Sequence, residues 1–184
     1  DYLAGPVLDT AYRSFVGMHP VPVVHGMTIG EYAQMINGAG WLPQSETCEL
    51  TVVRVAHYDH NTDYKLPIAP SPNLPNQAAI RLYPSLCFFE GTPVSVGRGT
   101  AHPFQVLGLP DYKAGGFTFT PRSIPGKAAN PAYEGEQCRG YDLRAYLEGR
   151  RSNSKNQQTD HLQYKWLVRF YQNMGEPDSF FEPY

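Results

Sequence analysis

Long apolar runs are missing from this chain: nothing approaches the roughly 20 consecutive apolar residues that a membrane-spanning helix requires, so no bilayer span is expected. A basic stripe is missing too. Fifteen Lys and Arg stand against seventeen Asp and Glu, the net charge is −2, and the cations are scattered, which argues against a nucleic-acid partner. Cysteine is scarce, and Cys48, Cys87 and Cys138 lie too far apart for a CxxC metal or redox motif, leaving at most one disulfide and one free thiol. Charged residues make up only 17% of the chain while Tyr numbers thirteen and Pro and Gly seventeen each, a balance that leans towards an extracytoplasmic setting. The sequence opens on Asp1 with neither an initiator Met nor a signal peptide, so its beginning is expected to be internal or processed. At 184 residues it suffices for one ordinary domain, and such a domain buries about 70% of the surface of its unfolded chain.

What is present organises the chain. Thr28-Ile29-Gly30-Glu31 is a Thr-x-x-Glu capping box, with Met27 and Tyr32 placed as a hydrophobic staple, so a helix is expected to start there and to end at Asn37-Gly38. Glu49 to His57, dense in Thr51, Val52, Val53 and Val55, predicts a largely buried strand. Pro75 suits the start of a short helix through Ala78, Ala79 and Leu82 that Pro84 is expected to stop. Strand signals recur at 92–96, 104–107, 117–120 and 138–143 between Gly and Pro clusters, predicting an α/β fold with a mixed sheet and flanking helices. Residues 148–159 are polar and without periodicity, as in a flexible surface loop. A closing helix is predicted from Asp160 to Gly175, with Leu162, Trp166, Phe170 and Met174 inward. Phe180, Phe181 and Tyr184 then follow with nothing evident to bury them.

The stretch richest in chemistry runs from Phe88 to Phe104. Glu90 directly follows an apolar run, where partial burial would raise its pKa towards that of a general acid or base. Arg98 sits between glycines that allow backbone to approach a ligand; Glu90 and Arg98 equally satisfy an ion pair that fixes the turn. Gly97-Arg98-Gly99-Thr100 lacks the Gly-Lys-Ser/Thr ending of a phosphate loop. His57, Asp59 and His60 are raw material for a metal site, although a polar loop accounts for them as well. His25, just ahead of the capped helix, is placed to donate to a substrate oxygen or to bond nearby backbone. Ser71 and Asn73, held among Pro70, Pro72 and Pro75, form a stiff polar loop suited either to sugar hydroxyls or to capping the next helix. Asp142, in the 138–143 strand, needs a partner if buried.

Taken in order, Gly5-Pro6-Val7-Leu8-Asp9, Ser14-Phe15-Val16-Gly17, His25-Gly26-Met27-Thr28-Ile29-Gly30-Glu31, Pro70-Ser71-Pro72-Asn73-Leu74-Pro75 and Glu90-Gly91-Thr92 with Ser95-Val96-Gly97-Arg98-Gly99-Thr100 resemble one family, the NamZ-type exo-β-N-acetylmuramidases. Beyond Phe104 the likeness runs through Cys138-Arg139-Gly140-Tyr141-Asp142-Leu143 and the final helix. The resemblance implies a longer enzyme with a Rossmann-like amino-terminal subdomain and a smaller carboxy-terminal one, acting on N-acetylmuramic acid at the non-reducing ends of peptidoglycan glycans. It implies that residues 1–184 are the carboxy-terminal subdomain, that the amino-terminal subdomain is the missing partner, and that the family's proposed catalytic glutamate lies in that absent half. Glu90 is then this chain's candidate catalytic carboxylate, and Arg98, His25, Ser71, Asn73 and Thr92 are candidates for binding a peptidoglycan-derived glycan without metal or cofactor. Common glycosidases use two carboxyl groups roughly 5 to 9.5 Å apart, so Glu90 is either one of a pair or a grip on a sugar hydroxyl. Two rival readings remain: a non-catalytic glycan-binding module, and a metal-dependent hydrolase built on His57, Asp59 and His60.

Overall fold

The computed structural model describes residues 3–62, 64–146, 162–174 and 179–181, and the chain divides into two compact units, Asp1–Tyr64 and Lys65–Tyr184. The expected α/β composition is present, and every strand pair among the described residues is antiparallel.

In the first unit β1 (Ala4–Val7) pairs with β2 (Pro22–Val24), and α1 (Ile29–Gly38) follows. The capping box forms as expected: Thr28 Oγ1 accepts from Glu31 N at 3.2 Å, and Glu31 Oε2 accepts from Thr28 N at 2.8 Å, satisfying two otherwise orphaned amides. Asn37, in the last turn, clamps the backbone of Cys48, its amide donating to the carbonyl at 2.8 Å and its oxygen accepting from the N–H at 2.7 Å. Residues 49–57, by contrast, are neither strand nor buried. Their β-branched side chains suit a pleated, covered surface, but β preference acts only through neighbours, and no strand among the described residues pairs with them. No described residue of this unit is buried.

The second unit has a true core. Asn76 caps α2 (Gln77–Leu86) by accepting from Ala79 N at 2.9 Å, and the helix runs on past Pro84 instead of stopping there. Pro84 removes one helical donor in the last turn, a small loss that the burial of Ser85 and Leu86 offsets. A 3-10 turn over Cys87–Gly91 then drives Phe89 inward. The sheet has the order β3 (Val106–Leu109), β5 (Cys138–Asp142), β4 (Phe117–Phe119). Its register sets Leu107 opposite Tyr141 and Phe117 opposite Gly140. The strand expected at 92–96 reduces to one bridge, Ser95 to Gly108, at the open edge of β3.

Against this sheet packs α3 (Lys165–Asn173), with Trp166 and Phe170 inward as the periodicity requires. Asp160, its expected start, and the 148–159 loop lie outside the described residues. Phe170 is the hub: its ring stacks on Tyr112 at 4.4 Å and meets Phe89 and Tyr141 edge-on at 5.6 and 5.7 Å. Phe180, expected to lack cover, is fully buried, its ring edge-on to Tyr171 of α3 at 5.6 Å. The three cysteines are free thiols, and burial pushes Cys87 and Cys138 up to about 11 each, which makes both poor nucleophiles.

Candidate functional site

The 3-10 turn that buries Phe89 necessarily turns the next residue outward, and Glu90 is exposed. Its carboxylate meets the Arg98 guanidinium through Nη2, and the Tyr83 hydroxyl approaches Oε2 at 3.5 Å from the preceding helix. The guanidinium carbon of Arg98 lies 5.3 Å from the centre of the Phe104 ring, within cation–π range, and Tyr83 meets the same ring edge-on at 5.0 Å. Tyr83, Glu90 and Arg98 thus form a half-exposed cluster of one ring and an ion pair, seated over the buried ring of Phe104. Glu90 therefore has a cation partner and a phenol, not the apolar enclosure that its sequence neighbours Phe88 and Phe89 suggested. Among the described residues only Nη2 of Arg98 has a partner, so Nε and Nη1 remain as donors.

The loop that displays Arg98 is pinned on both sides. Gly97 and Gly99 take φ of 78° and 79°, and a Cβ on them would come within 2.9 Å of the His102 carbonyl oxygen and 2.6 Å of the Arg122 carbonyl oxygen. These glycines let the loop close on its own chain; the ligand approach expected of them is not what their geometry serves. Thr92 is buried, its hydroxyl donating to the Phe89 carbonyl at 2.9 Å and accepting from Val94 N at 3.2 Å, so it fixes the turn beneath Glu90 and is not offered to a ligand.

Ser71 and Asn73 lie in a second place. Ser71 Oγ accepts from Asn73 N at 3.2 Å, and the Asn73 amide donates to the Lys127 carbonyl at 2.9 Å. Asn73, but not Ser71, lines a small pocket of about 80 Å³ together with Pro72, Pro75, Thr100, Pro103 and Ile124. The cap of the following helix is provided by Asn76, not by Ser71 or Asn73. His25 belongs to the first unit: Nδ1 accepts from Met27 N at 3.1 Å, which puts the ring proton on Nε2, and the ring stacks on Tyr32 at 5.0 Å.

Asp142 finds the partner it needed in Arg144, whose Nε and Nη2 grip the carboxylate at 2.9 and 2.6 Å; these hydrogen bonds hold its pKa below the usual carboxylate range. Arg144 Nη1 also meets His102 Nε2 at 2.7 Å, and since a guanidinium only donates, the His102 proton sits on Nδ1. Of the metal candidates, Asp59 accepts from Asn61 N at 2.8 Å and from the Thr62 hydroxyl at 3.0 Å, while His60 turns to Glu31 at 2.8 Å. Among the described residues no three His, Cys, Asp or Glu side chains converge.

Residues 1–78 match the family model described as exo-β-N-acetylmuramidase NamZ, N-terminal, and residues 81–182 match its C-terminal counterpart. The chain belongs to the exo-β-N-acetylmuramidase NamZ family. The resemblance had assigned all of 1–184 to the carboxy-terminal part, and the amino-terminal match over 1–78 adds a stretch of the other half. The peptidoglycan β-N-acetylmuramidase NamZ of Bacillus subtilis is 36% identical over 157 residues, which is 78% of this chain and 37% of that protein. A DUF1343 family protein of Bacteroides fragilis superposes with a TM-score of 0.89 at 48% identity, covering 99% of this chain and 50% of its own. A second DUF1343 protein of that organism, 20% identical with a TM-score of 0.65 over 96% of this chain and 53% of its own, shares the fold. The chain therefore spans about a third to a half of the length of these relatives.

Proposed function

We propose that this chain is one part of a glycoside hydrolase that removes N-acetylmuramic acid from the non-reducing ends of peptidoglycan glycans, with the remaining amino-terminal segment of the family as its partner. The observation that carries this reading is the Tyr83–Glu90–Arg98–Phe104 cluster, built on the family motif and half open to solvent. Sugars are bound by hydrogen bonds to their hydroxyls and by aromatic cover of their apolar faces; Glu90 and Arg98 offer the first and the exposed ring of Tyr83 the second, with Phe104 buried beneath Arg98. Glu90, an acceptor already engaged by donors, suits the removal of a proton or the grip of a hydroxyl. Ser71, Asn73 and His25, whose Nε2 carries a proton without a partner among the described residues, are further contacts for the glycan. Thr92 holds the turn that displays Glu90. A polymer of the cell wall as substrate implies a periplasmic or secreted protein.

Arg98 is assigned to the lactyl carboxylate that distinguishes muramic acid from N-acetylglucosamine, because guanidinium pairs with carboxylate through a planar fork. Arg98→Lys keeps the charge and loses the fork. In the enzyme completed with its amino-terminal half, kcat/KM for a chromogenic N-acetylmuramide should fall about tenfold or more, a loss of about 1.5 to 3 kcal/mol, with much less change for the matching N-acetylglucosaminide. Equal losses on both sugars, together with a lowered melting temperature, would return Arg98 to fixing the 97–99 turn. A glycan-binding module is the second reading, favoured by the engagement of Glu90 with Arg98. Binding of muramic-acid glycans with no turnover by the completed protein would establish it.

A further inference from the structure

Residues 49–57 are the least satisfied part of the molecule. All nine are exposed, including Val53 at 88% and Val55 at 67%, and no residue of 50–58 shares a backbone–backbone hydrogen bond with any described residue. Exposed β-branched residues normally sit in a sheet, where their stiff side chains pack against cross-strand neighbours. One face already has a neighbour: a Cβ on Gly30 would lie 2.6 Å from Val52 Cγ1, so Val52 sits directly over the helix glycine that makes room for it. Leu50 and Val52, at 41% and 36%, are less exposed than Val53 and Val55, the alternation of a strand with one covered face. Because successive residues of a strand direct their N–H and C=O groups to opposite edges, a segment lacking every ladder bond has two open edges.

We infer that residues 49–55, ahead of the turn at Ala56 and His57, form an interior strand of a sheet whose adjoining strands lie in the part of the NamZ amino-terminal domain outside this chain. The occupant follows from the relatives: residues 1–78 match the NamZ amino-terminal model, and the 48%-identical Bacteroides fragilis protein carries as much chain again beyond the half matched here. It also explains why the first unit buries none of its described residues, since its α1 covers one face of a strand that awaits its neighbours. The inference rests on the two-part reading of the enzyme and adds the way the parts join, by strand insertion and not by docking of finished surfaces.

The test co-expresses this chain with the unmatched half of that Bacteroides fragilis protein and follows amide hydrogen exchange. In the complex the amides of 50–55 should exchange about a hundredfold or more slowly than in the chain alone, as paired interior strands do. Val53→Pro removes one ladder donor at a residue that is bare in the isolated chain, so it should leave the melting temperature of the chain alone unchanged and weaken the complex at least tenfold; Val53→Thr, β-branched and able to pair, should not. A complex that forms with 50–55 still exchanging freely, or equally well with Val53→Pro, overturns strand insertion while leaving the two-part enzyme standing. Failure of the two halves to associate overturns it too. A protected strand in a complex without turnover supports the insertion and counts against the muramidase reading instead.

Discussion

Phe170→Ala should destabilise the second unit by about 3 to 5 kcal/mol, the range for emptying a buried aromatic site. Phe170 is wholly buried and joins α3 to three other parts of the unit: Phe89 from the 3-10 turn, Tyr112 from the segment after β3, and Tyr141 from β5. Removing the ring leaves those three aromatics facing a void that none of them can fill without leaving its own packing. For a unit of about a hundred residues each kcal/mol moves the midpoint by about 4 to 8 °C, so thermal melting should fall by about 12 °C or more. Phe181→Ala, at a ring 54% exposed, is the control and should cost under about 1 kcal/mol. A Phe170→Ala loss as small as the control's would mean that α3 is not part of this core.

Glu90→Gln should leave the fold nearly intact and lower turnover of the completed enzyme about a hundredfold. The stability side follows from exposure: Glu90 and Arg98 side chains are 33% and 44% open, and ion pairs of that kind contribute at most about 1 kcal/mol. The catalytic side follows from chemistry, since Gln keeps the volume and a hydrogen-bonding oxygen but cannot take a proton, and proton transfer by a placed group contributes about 10²- to 10⁴-fold. A change in kcat with little change in KM identifies proton transfer, whereas a raised KM with kcat unchanged reduces Glu90 to a grip on a hydroxyl. Unchanged kinetics would leave the Glu90–Arg98 pair as a fixture of the turn.

What could be read from the sequence divides by the range of the interactions. The capping box at Thr28 and Glu31 and the buried stripe of Trp166 and Phe170 are local patterns, and each appears where its spacing places it. Residues 49–57 carry strand preference but no strand, because pairing depends on partners that a local pattern does not contain. The 92–96 segment likewise reduces to a single bridge, its backbone drawn into the turns that Thr92 and Gly97 hold. Pro84 was read as a stop, yet one lost donor near a helix end is outweighed by the burial of Leu86 beyond it.

The site shows the same division. Glu90 and Arg98 stand eight residues apart in one stretch, and their pairing was open to view as one of two alternatives. Tyr83 and Phe104, which complete the cluster, carry no signal of their own; an aromatic residue on a helix or before a strand is ordinary core material until the fold sets the two rings together. His102 and Asp142 are far apart in sequence and meet only through Arg144, whose position two residues after Asp142 was the available clue. Among the described residues the metal candidates do not converge, Asp59 closing its own turn and His60 reaching back to the capping Glu31.

The two-part muramidase is tested most directly by release of N-acetylmuramic acid from the non-reducing ends of peptidoglycan glycans, measured for this chain alone and for the chain assembled with the unmatched half of the Bacteroides fragilis protein. The chain alone should release none, and the assembled protein should turn over, with muramic acid as the product. Full turnover by the 184 residues by themselves would contradict the account, as would an assembled protein that binds the glycan and never cleaves it.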